Sequence, residues 1–334
     1  MNHNGRLDLA RQMVKEAAAA GADYVKFQTA VPELVISSIA PKAKYQEETT
    51  GREQSQLEMC KAIHLPLSDY AALADLCRQE GIGFMSTPFD LVSIDALVPL
   101  RMDYWKIPSG EITNLPYLRK IGALGSRVIM STGMSVLGEV EQAVKILERS
   151  GTPRRNITLL HCTTQYPTPM EDVNLRAMDA LRSLGCGAVG YSDHTVGITV
   201  PIAATAMGAR VIEKHFTLDK NMEGPDHRAS LDPAELRAMV RAIREVDRAL
   251  GCPLKRVAHS EADNITVARK SIVAARPIRK GELLTEENIT VKRPGGGISP
   301  LEWDNVLGTR AVDDFAYDSL IRIYLFQTWT SVRI

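Results

Sequence analysis

The sequence predicts an α/β fold: a (β/α)8 TIM barrel that lacks most of its first strand, followed by a small β-rich domain. Short apolar strands alternate with helical patterns over residues 1–250 of the 334-residue chain, and this alternation is typical of a parallel sheet. Seven strands can be recognised, each followed by a helix or helix-like segment, over about the ~250 residues that such a barrel uses. The missing strand would stand before the first helix.

The first helix begins close to residue 1. Apolar residues recur at helical spacing from Leu7 to Ala20, and Gly21 ends the pattern. The predicted strands are, in order, Asp23 to Gln28, Gly83 to Phe89, Asp103 to Gly110, Arg127 to Gly133, Ile157 to Thr163, Gly187 to His194 and Arg210 to Thr217. The clearest helical patterns among them are Leu67 to Gln79, Val136 to Arg149, Leu175 to Leu184, Val200 to Met207 and Pro233 to Leu250.

The pattern changes after residue 250. Residues 251–267 are predicted to be a linker, and residues 268–334 a second domain of short β-like runs and turns. The last stretch, YLFQTWTSVRI from Tyr324 to Ile334, is apolar and has no predicted role.

Composition narrows the class of protein. Forty basic residues balance forty acidic ones, so charge gives no reason to expect a nucleic-acid or membrane-surface partner, and a small molecule is the expected ligand. The five cysteines are odd in number and scattered, which favours a reducing cytoplasm over a disulfide framework. No apolar run approaches the roughly 20 residues of a membrane span, and the first residues lack a signal-peptide core.

Every predicted strand of the first domain ends in hydrogen-bonding side chains. In a barrel of this kind, catalytic residues come from the C-terminal ends of several strands. A polar group buried there costs free energy unless it is paired, so such a cluster indicates a ligand. Two lysines with several hydroxyl groups suit a phosphate and a carboxylate. These strand-end residues are Lys26, Gln28, Ser86, Thr87, Lys106, Ser109, Glu111, Ser131, Thr132, Thr163, Thr164, Tyr166, Ser192, Asp193, His194, Lys214 and His215.

Two histidines end consecutive predicted strands. His194 and His215 should therefore be neighbours, and together they could bind one divalent metal whose other positions are filled by substrate or water. The alternative is that each is a hydrogen-bonded structural residue. Asp226 and His227 lie in a turn-rich stretch that could close over the site or be a solvated loop. The three glycines at 295–297 have no following helix and no Gly-Lys-Ser/Thr, so they are interpreted as a turn that presents Arg293.

Taken together, the strand-end motifs resemble the bacterial sialic acid synthases, the N-acetylneuraminate and legionaminic acid synthases, over nearly the whole chain. The second domain resembles the antifreeze-like (SAF, β-clip) domain that ends those enzymes, through RKSIVA, KGE and KRPGGGISP. The motifs of the first domain are FQT after Lys26, STPFD, KIPSGEITNLPYL, STGM, HCTTQYPTP, GYSDHT, EKHFTLDK and GPDH.

The resemblance implies a condensation of phosphoenolpyruvate with the open-chain form of an N-acyl amino sugar, giving a nine-carbon 2-keto acid and phosphate. It implies a divalent metal, Mn²⁺ or Mg²⁺, held by His194 and His215. It also implies a domain-swapped homodimer, in which Arg293 reaches the partner's site and grips the N-acyl end. Lys26, Lys106 and Glu111 are the candidate catalytic residues. By the same likeness, phosphoenolpyruvate is held by Lys26, Thr87, Lys106, Ser109, Ser131 and Ser192, and the sugar faces Gln28, Glu111, Tyr166 and Asp226.

Two departures from the family are visible. Thr164, a candidate substrate-binding residue, stands where some members carry Asn beside the phosphate. An acidic residue of the first strand, a few positions before Asn2, contributes near the attacking water in the family, and this chain begins too late to contain it.

The first expectation for the reaction is the N-acetylneuraminate synthase type, and the N,N'-diacetyllegionaminate synthase type is the alternative. EITNLPYL and TLDKNMEGPDHRASL are at least as close to legionaminic acid synthases, which use a 2,4-diacetamido-6-deoxy sugar, as to N-acetylneuraminate synthases, which use N-acetylmannosamine. A pseudaminic acid synthase fits less well. A hypothesis from a different functional class is that the protein is an inactive remnant that binds ligand without turnover. Its basis is that a barrel lacking one strand exposes two unpaired edges.

Overall fold

The computed structural model of the protein describes residues 2–51 and 53–324. The chain divides into two units, Met1–Gly251 and Cys252–Ile334. The apolar tail after Tyr324 lies outside the described residues. No helix in the described part of the chain is both long enough and apolar enough to cross a membrane.

Seven parallel strands form the centre of the first unit, as the alternating pattern predicted. One pair, β1 with β2, forms a two-stranded sheet, and β3 to β7 form a five-stranded sheet in sequential order. Their bounds are β1 Tyr24–Thr29, β2 Gly83–Pro88, β3 Tyr104–Ile107, β4 Arg127–Ser131, β5 Ile157–His161, β6 Ala188–Asp193 and β7 Ile212–Lys214.

Helices surround these strands. The predicted helices are present with small shifts at their ends, and several short ones were missed, because four to nine residues carry little periodicity. The helices of the first unit are α1 Leu7–Ala19, α2 Pro32–Val35, α3 Lys44–Thr50, α4 Gln56–Ile63, α5 Asp69–Gln79, α6 Leu91–Leu97, α7 Leu115–Ala123, α8 Leu137–Ser150, α9 Ala177–Arg182, α10 Thr199–Ala206 and α11 Pro233–Leu250.

The two sheets of the first unit share one apolar layer. Met85 on β2, Ile129 on β4 and Leu160 on β5 are buried against one another, with Tyr24 of β1 and Tyr104 of β3 packed beside them. The rings of the two tyrosines meet edge to face with centroids 5.6 Å apart. The strands therefore curve around a common interior, and their C-terminal ends lie on one side of it.

The second unit is small and rich in extended structure. Strands β8 Ser271–Ala274 and β9 Ile289–Lys292 are antiparallel, and isolated bridges join further extended segments to one another and to β8. Two short helices, α12 Asn264–Ala268 and α13 Trp303–Val306, flank them. The unit has its own apolar core, formed by Ile272, Ala274, Ile278, Leu284, Ile289, Val306, Ala311, Phe315 and Ile321.

Gly190 in β6 is a point where the packing tolerates no side chain. A Cβ atom there would lie 2.3 Å from the carbonyl oxygen of Val211 and 2.7 Å from a methyl group of Leu160. We expect Gly190→Ala to lower the free energy of unfolding by about 1–3 kcal/mol, since the backbone of a neighbouring strand would have to move. Chemical denaturation of the full chain measures this.

The matched control is Gly138→Ala in α8, where an added Cβ meets nothing within 4 Å. That variant should be as stable as the wild type or more stable, because Ala is the better helix former. Equal stability of the Gly190 and Gly138 variants would contradict the tight approach at β6.

Candidate active site

Three charged side chains from separate strands meet at the C-terminal ends of the parallel strands. The Nζ of Lys26 lies 3.4 Å from Oε1 of Glu213, and the Nζ of Lys106 lies 3.9 Å from Oε2 of the same carboxylate. Lys106 also donates to Oγ of Ser131 at 2.6 Å, and Ser192 Oγ donates to Glu213 at 2.8 Å. Strands β1, β3, β4, β6 and β7 thus contribute one residue each to a single polar cluster.

The register of the last two strands explains which residues enter this cluster. Ser192 is paired with Glu213 and Asp193 with Lys214. Neighbouring residues in parallel strands point to the same face, and successive residues alternate. Ser192 and Glu213 therefore face the interior. Lys214 faces away and forms a buried ion pair with Asp193, where it also donates to the carbonyl of Thr195.

Burial and charge together set the protonation of the cluster. Burial alone would raise the pKa of the Glu213 carboxyl, but Lys106 and Lys26 outweigh it and lower that pKa to about 2. Burial lowers the pKa of Lys106 to about 8, against the opposing effect of Glu213. The carboxylate is therefore ionised at neutral pH. The Lys106 ammonium group loses its proton at a pH only slightly above neutral.

Further predicted hydroxyl groups lie at or just after the C-terminal ends of β2, β3 and β5. Thr87 is 1% exposed, and its Oγ1 has no hydrogen-bond partner within the described residues. Ser109 Oγ accepts the backbone N–H of Gly133 at 3.0 Å. A Cβ at Gly133 would lie 2.7 Å from the Thr164 methyl group and 3.0 Å from Ser109 Oγ, so the glycine allows Ser109 and Thr164 to approach each other.

The two candidate metal ligands are neighbours, as predicted. The rings of His194 and His215 have centroids 5.3 Å apart, and the Tyr166 ring lies 4.2 Å from His194 and 5.5 Å from His215. His194 Nδ1 is 2.6 Å from the carbonyl oxygen of Thr163, which leaves Nε2 as the nitrogen that can bind a ligand. Burial lowers the pKa of both imidazoles, so both are neutral at pH 7 and have a lone pair.

Asp226 lies beside this pair. Its Oδ2 is 3.7 Å from His215 Nδ1, and its Oδ1 is buried with no hydrogen-bond partner in the described structure. Burial raises the pKa of the carboxyl. A buried acceptor without a partner is rare in folded proteins, so Oδ1 of Asp226 is a candidate contact for a bound group.

The three remaining predicted site residues lie in different parts of the chain. Gln28 lines a cavity of about 640 Å³ together with Lys26, Glu213 and His215. Glu111 lies in the turn after β3, where it accepts from the side chain of Asn114 at 2.6 Å and burial raises its pKa. Arg293 is exposed on the second unit.

The donor set can be tested for a divalent metal from the residues themselves. No group of three or more His, Cys, Asp or Glu side chains is arranged to hold a metal ion anywhere in the described ranges. Two adjacent neutral imidazoles are nevertheless suitable ligands for Mn²⁺, provided that water or substrate fills the remaining positions. The residues therefore fit a metal site with coordination positions left for water or substrate. They do not fit a structural metal site in which every ligand is a protein side chain.

Comparisons with known proteins give matches in both units of the chain. A model of the NeuB family matches residues 13–255, and a model of the SAF domain matches residues 269–323. The chain belongs to the NeuB family. Its C-terminal unit contains a SAF domain, as the sequence motifs predicted.

Named relatives extend over nearly the whole of this NeuB-family chain. It is 50% identical to the N,N'-diacetyllegionaminic acid synthase of Campylobacter jejuni, with 96% of each chain covered. It is 35% identical to the human N-acetylneuraminate-9-phosphate synthase, with 96% of this chain and 90% of the relative covered. A crystal structure of the N-acetylneuraminic acid synthetase from Leptospira borgpetersenii superposes with a TM-score of 0.68 at 32% identity, covering 79% of this chain and 87% of that one.

Sequence reasoning missed two residues of the site. Glu213 was treated as part of the EKHFT motif and not as a site residue. A carboxylate is nevertheless expected beside two inward-facing lysines, because it balances their positive charge. Gly133 was treated only as a strand end. The strand register identifies Glu213, and the register becomes known only when the strands are paired.

Stability should depend on pH through the buried histidines. Burial lowers the pKa of His194, His215, His3, His64 and His227. As pH falls below about 6.5, the unfolded chain takes up protons that the folded chain does not, so the free energy of unfolding should fall. Each such group contributes up to about 1.4 kcal/mol per pH unit.

His3→Gln isolates one of these groups, since burial lowers the pKa of His3 to about 2. The variant should have a shallower dependence of unfolding free energy on pH between about pH 7 and pH 5 than the wild type. The exposed His259, replaced by Gln in the same way, serves as the control and should leave the slope unchanged. Identical slopes in the wild type and both variants would contradict the lowered pKa of His3.

Proposed function

We propose that this chain condenses phosphoenolpyruvate with the open-chain form of an N-acyl amino sugar, giving a nine-carbon 2-keto acid and phosphate. The observation that carries the proposal is the buried cluster of Lys26, Lys106 and Glu213 next to the neutral pair His194 and His215. The anionic phosphoenolpyruvate would bind at the lysine cluster, and the polar, uncharged sugar would bind at the neighbouring histidine pair.

The lysine cluster is the proposed phosphoenolpyruvate site. Phosphate and carboxylate carry dense negative charge, and Lys26 with Lys106 supplies two ammonium groups for them. Glu213 holds both ammonium groups in place before substrate arrives. Thr87, whose hydroxyl has no partner in the described structure, is available to the ligand. The remaining hydroxyl groups of this site belong to Ser109, Ser131, Thr164 and Ser192.

The histidine pair is the proposed metal and sugar site. A divalent ion held by His194 and His215, Mn²⁺ or Mg²⁺, would supply Lewis-acid stabilisation of the negative charge that develops on the sugar aldehyde oxygen. Tyr166 packs against both rings and fixes their orientation. Asp226 offers a buried carboxylate oxygen to a sugar hydroxyl group. Gln28 and Glu111 are proposed to face the sugar from the ends of β1 and β3.

The bond changes follow from these placements. C3 of phosphoenolpyruvate forms a bond to the aldehyde carbon with its π-electron pair, and the aldehyde oxygen takes up a proton. The cation left at C2 is captured by water, which gives up a proton. Phosphate then leaves with the electrons of the C2–O bond, while the C2 hydroxyl group gives its proton to the phosphate or to water and its oxygen forms the C=O bond of the 2-keto acid. Lys26 and Lys106 stabilise the departing phosphate, because charge grows on it as the bond breaks.

The proposed architecture is the (β/α)8 barrel predicted from the sequence. Residues 1–250 would form the synthase domain, 251–267 a linker and 268–334 the SAF domain. We further propose a domain-swapped homodimer in the cytoplasm, in which Arg293 serves the partner's site. The exposure of Arg293 on the second unit is compatible with that role.

The proposed acceptor is a 2,4-diacetamido-6-deoxy sugar, and N-acetylmannosamine is the second candidate. The expectation from the sequence motifs had N-acetylmannosamine first. Support for reversing that order comes from the relatives, since identity to a legionaminic acid synthase is 50% and to an N-acetylneuraminate-9-phosphate synthase 35%.

The experiment compares kcat/KM for the two sugars with saturating phosphoenolpyruvate and Mn²⁺, by phosphate release and product mass. We expect the 2,4-diacetamido sugar to be favoured by about tenfold or more, a preference that corresponds to ~1.4 kcal/mol. Preference for N-acetylmannosamine would overturn the assignment of the sugar. Binding of phosphoenolpyruvate without turnover of either sugar would favour the inactive remnant.

A further inference from the structure

A buried ion pair lies next to the two candidate metal ligands in the chain. The side chains of Lys214 and Asp193 are 1% and 0% exposed, and the Lys214 ammonium group bonds to the Asp193 carboxylate. Asp193 directly precedes His194, and Lys214 directly precedes His215. The two members of the ion pair are also register partners in the ladder between β6 and β7. The pair therefore joins the two strands at the point where each continues into a candidate ligand.

The backbone around His194 forms a turn that Asp193 and Thr195 close. Oδ1 of Asp193 accepts from the backbone N–H of Thr195 at 3.2 Å, and Oδ2 accepts from the Thr195 hydroxyl group at 3.0 Å. Both residues are 0% exposed, so water does not compete for these hydrogen bonds. His194 lies between them, and its backbone direction is consequently fixed by its two neighbours in the chain.

Lys214 binds this turn, residues 193–195, on both sides of the histidine. Its ammonium group donates to the carboxylate of Asp193, before His194, and to the carbonyl oxygen of Thr195, after it. One charged group of β7 thus holds both ends of a turn that follows β6. The residue after Lys214 is His215, whose ring centroid lies 5.3 Å from that of His194. These bonds tie the position of one imidazole to that of the other.

Other contacts hold each histidine to a different segment. The carbonyl oxygen of His194 accepts from the backbone N–H of Thr168, and its Nδ1 lies 2.6 Å from the carbonyl oxygen of Thr163. Both of these partners belong to the loop after β5. The carbonyl oxygen of His215 accepts from the backbone N–H of Leu231, which precedes α11. These contacts orient each histidine separately, and the ion pair relates the two to each other.

Stability alone does not account for an ion pair in this position. Moving two charges out of water costs free energy that their attraction only partly offsets, so a buried ion pair adds little net stability compared with apolar side chains of similar volume. Its directional bonds instead select one arrangement of the groups around it. Metal ligands depend on such selection, because the loss of a partner that orients a ligand commonly weakens metal binding by about 10- to 100-fold.

We propose that the ion pair of Asp193 and Lys214 positions the metal ligands: it holds the two imidazoles at the separation that one divalent ion requires, and it contacts neither the ion nor the substrates. Both side chains lie on the opposite face of the strands from Glu213, and so outside the interior in which ligands would bind. The inference rests on the proposed metal site and adds the residues that shape it.

The test removes both charges and leaves the turn closed. In the double variant Asp193→Asn/Lys214→Met, Asn keeps an acceptor for the Thr195 amide, and Met keeps most of the length of the lysine stem. We expect Mn²⁺ binding, followed by electron paramagnetic resonance without substrates, to weaken by about tenfold or more. Binding of phosphoenolpyruvate, measured by calorimetry without metal, should stay within about twofold of the wild type. The melting temperature should stay close to the wild-type value, because both charges are removed together.

Two further variants complete the test. Glu148→Gln/Arg154→Met removes a half-buried ion pair that joins α8 to the segment before β5, and it should leave Mn²⁺ affinity unchanged. Thr195→Val keeps both charges of the proposed pair and the side-chain volume, but it removes the hydroxyl group that bonds to Asp193. It should weaken Mn²⁺ binding by about threefold or more. This variant decides the matter if the double variant does not fold.

Wild-type affinity for Mn²⁺ in both the double variant and Thr195→Val would overturn the proposal. An equal loss of Mn²⁺ and phosphoenolpyruvate binding would also overturn it, since that indicates a general disturbance of the strand ends. Failure of the proposed metal site is distinguishable, because His194→Ala would then bind Mn²⁺ as the wild type does. Weakened binding in His194→Ala, with none in the variants of the pair and of Thr195, would reject only the positioning role.

Discussion

Replacing Lys106 by Met is expected to lower kcat/KM for phosphoenolpyruvate by about 10²- to 10³-fold, the usual effect of removing one preorganised charge-stabilising group. Lys106 is 1% exposed, and its ammonium group is held by Ser131 and by the carbonyl of Ile107. Water cannot readily replace it, and the departing phosphate would lose one of its two cations. Steady-state phosphate release measures the effect.

The same substitution should destabilise the fold, since the Glu213 carboxylate would lose one of the two cations that it pairs with in the described structure and would keep Lys26 and the hydroxyl group of Ser192. The double variant Lys106→Met/Glu213→Gln removes both charges, so its unfolding free energy should recover most of the loss while its activity stays low. Lys145→Met is the matched control, because Lys145 is exposed and forms a surface ion pair with Glu141 on α8. Wild-type turnover in the Lys106 variant would place phosphoenolpyruvate elsewhere.

Replacing His194 by Ala is expected to abolish the stimulation of activity by Mn²⁺. Equilibrium binding of Mn²⁺, followed by electron paramagnetic resonance without substrates, should weaken by about 100-fold or more, since substitution of even an outer partner of a metal ligand costs 10- to 100-fold. His215→Ala should have the same effect, because the two rings are adjacent and both are neutral.

The control for this experiment is His259→Ala, an exposed histidine of the second unit, which should bind Mn²⁺ as the wild type does. Unchanged Mn²⁺ affinity in both the His194 and His215 variants would contradict a metal site at this pair. Loss in only one of them would assign the ion to that residue and a different partner.

The sequence predicted the parts of the fold that depend on local pattern. The seven parallel strands followed from apolar runs bounded by turns, and long amphipathic helices such as α11 were predicted at their observed bounds. Short helices such as α2, with four residues, carry too little periodicity to be recognised. Ser109 was predicted within a strand and lies in a turn, because β3 ends before Pro108.

Strand order predicted one part of the candidate site's geometry, and the strand register was needed for the rest. The proximity of His194 and His215 followed from strand order alone, since neighbouring parallel strands end side by side. The inward position of Glu213 and the outward position of Lys214 depend on register, and a shift of one residue would exchange them. The buried ion pair of Lys214 with Asp193 was therefore not foreseen.

The most direct test of the central claim is the reaction of the purified chain with phosphoenolpyruvate and the 2,4-diacetamido sugar in H₂¹⁸O with Mn²⁺. The proposed chemistry predicts phosphate release that requires the sugar, and phosphate that contains no ¹⁸O, because water attacks C2 and not phosphorus. Release of phosphate without sugar, or of ¹⁸O-labelled phosphate, would contradict it.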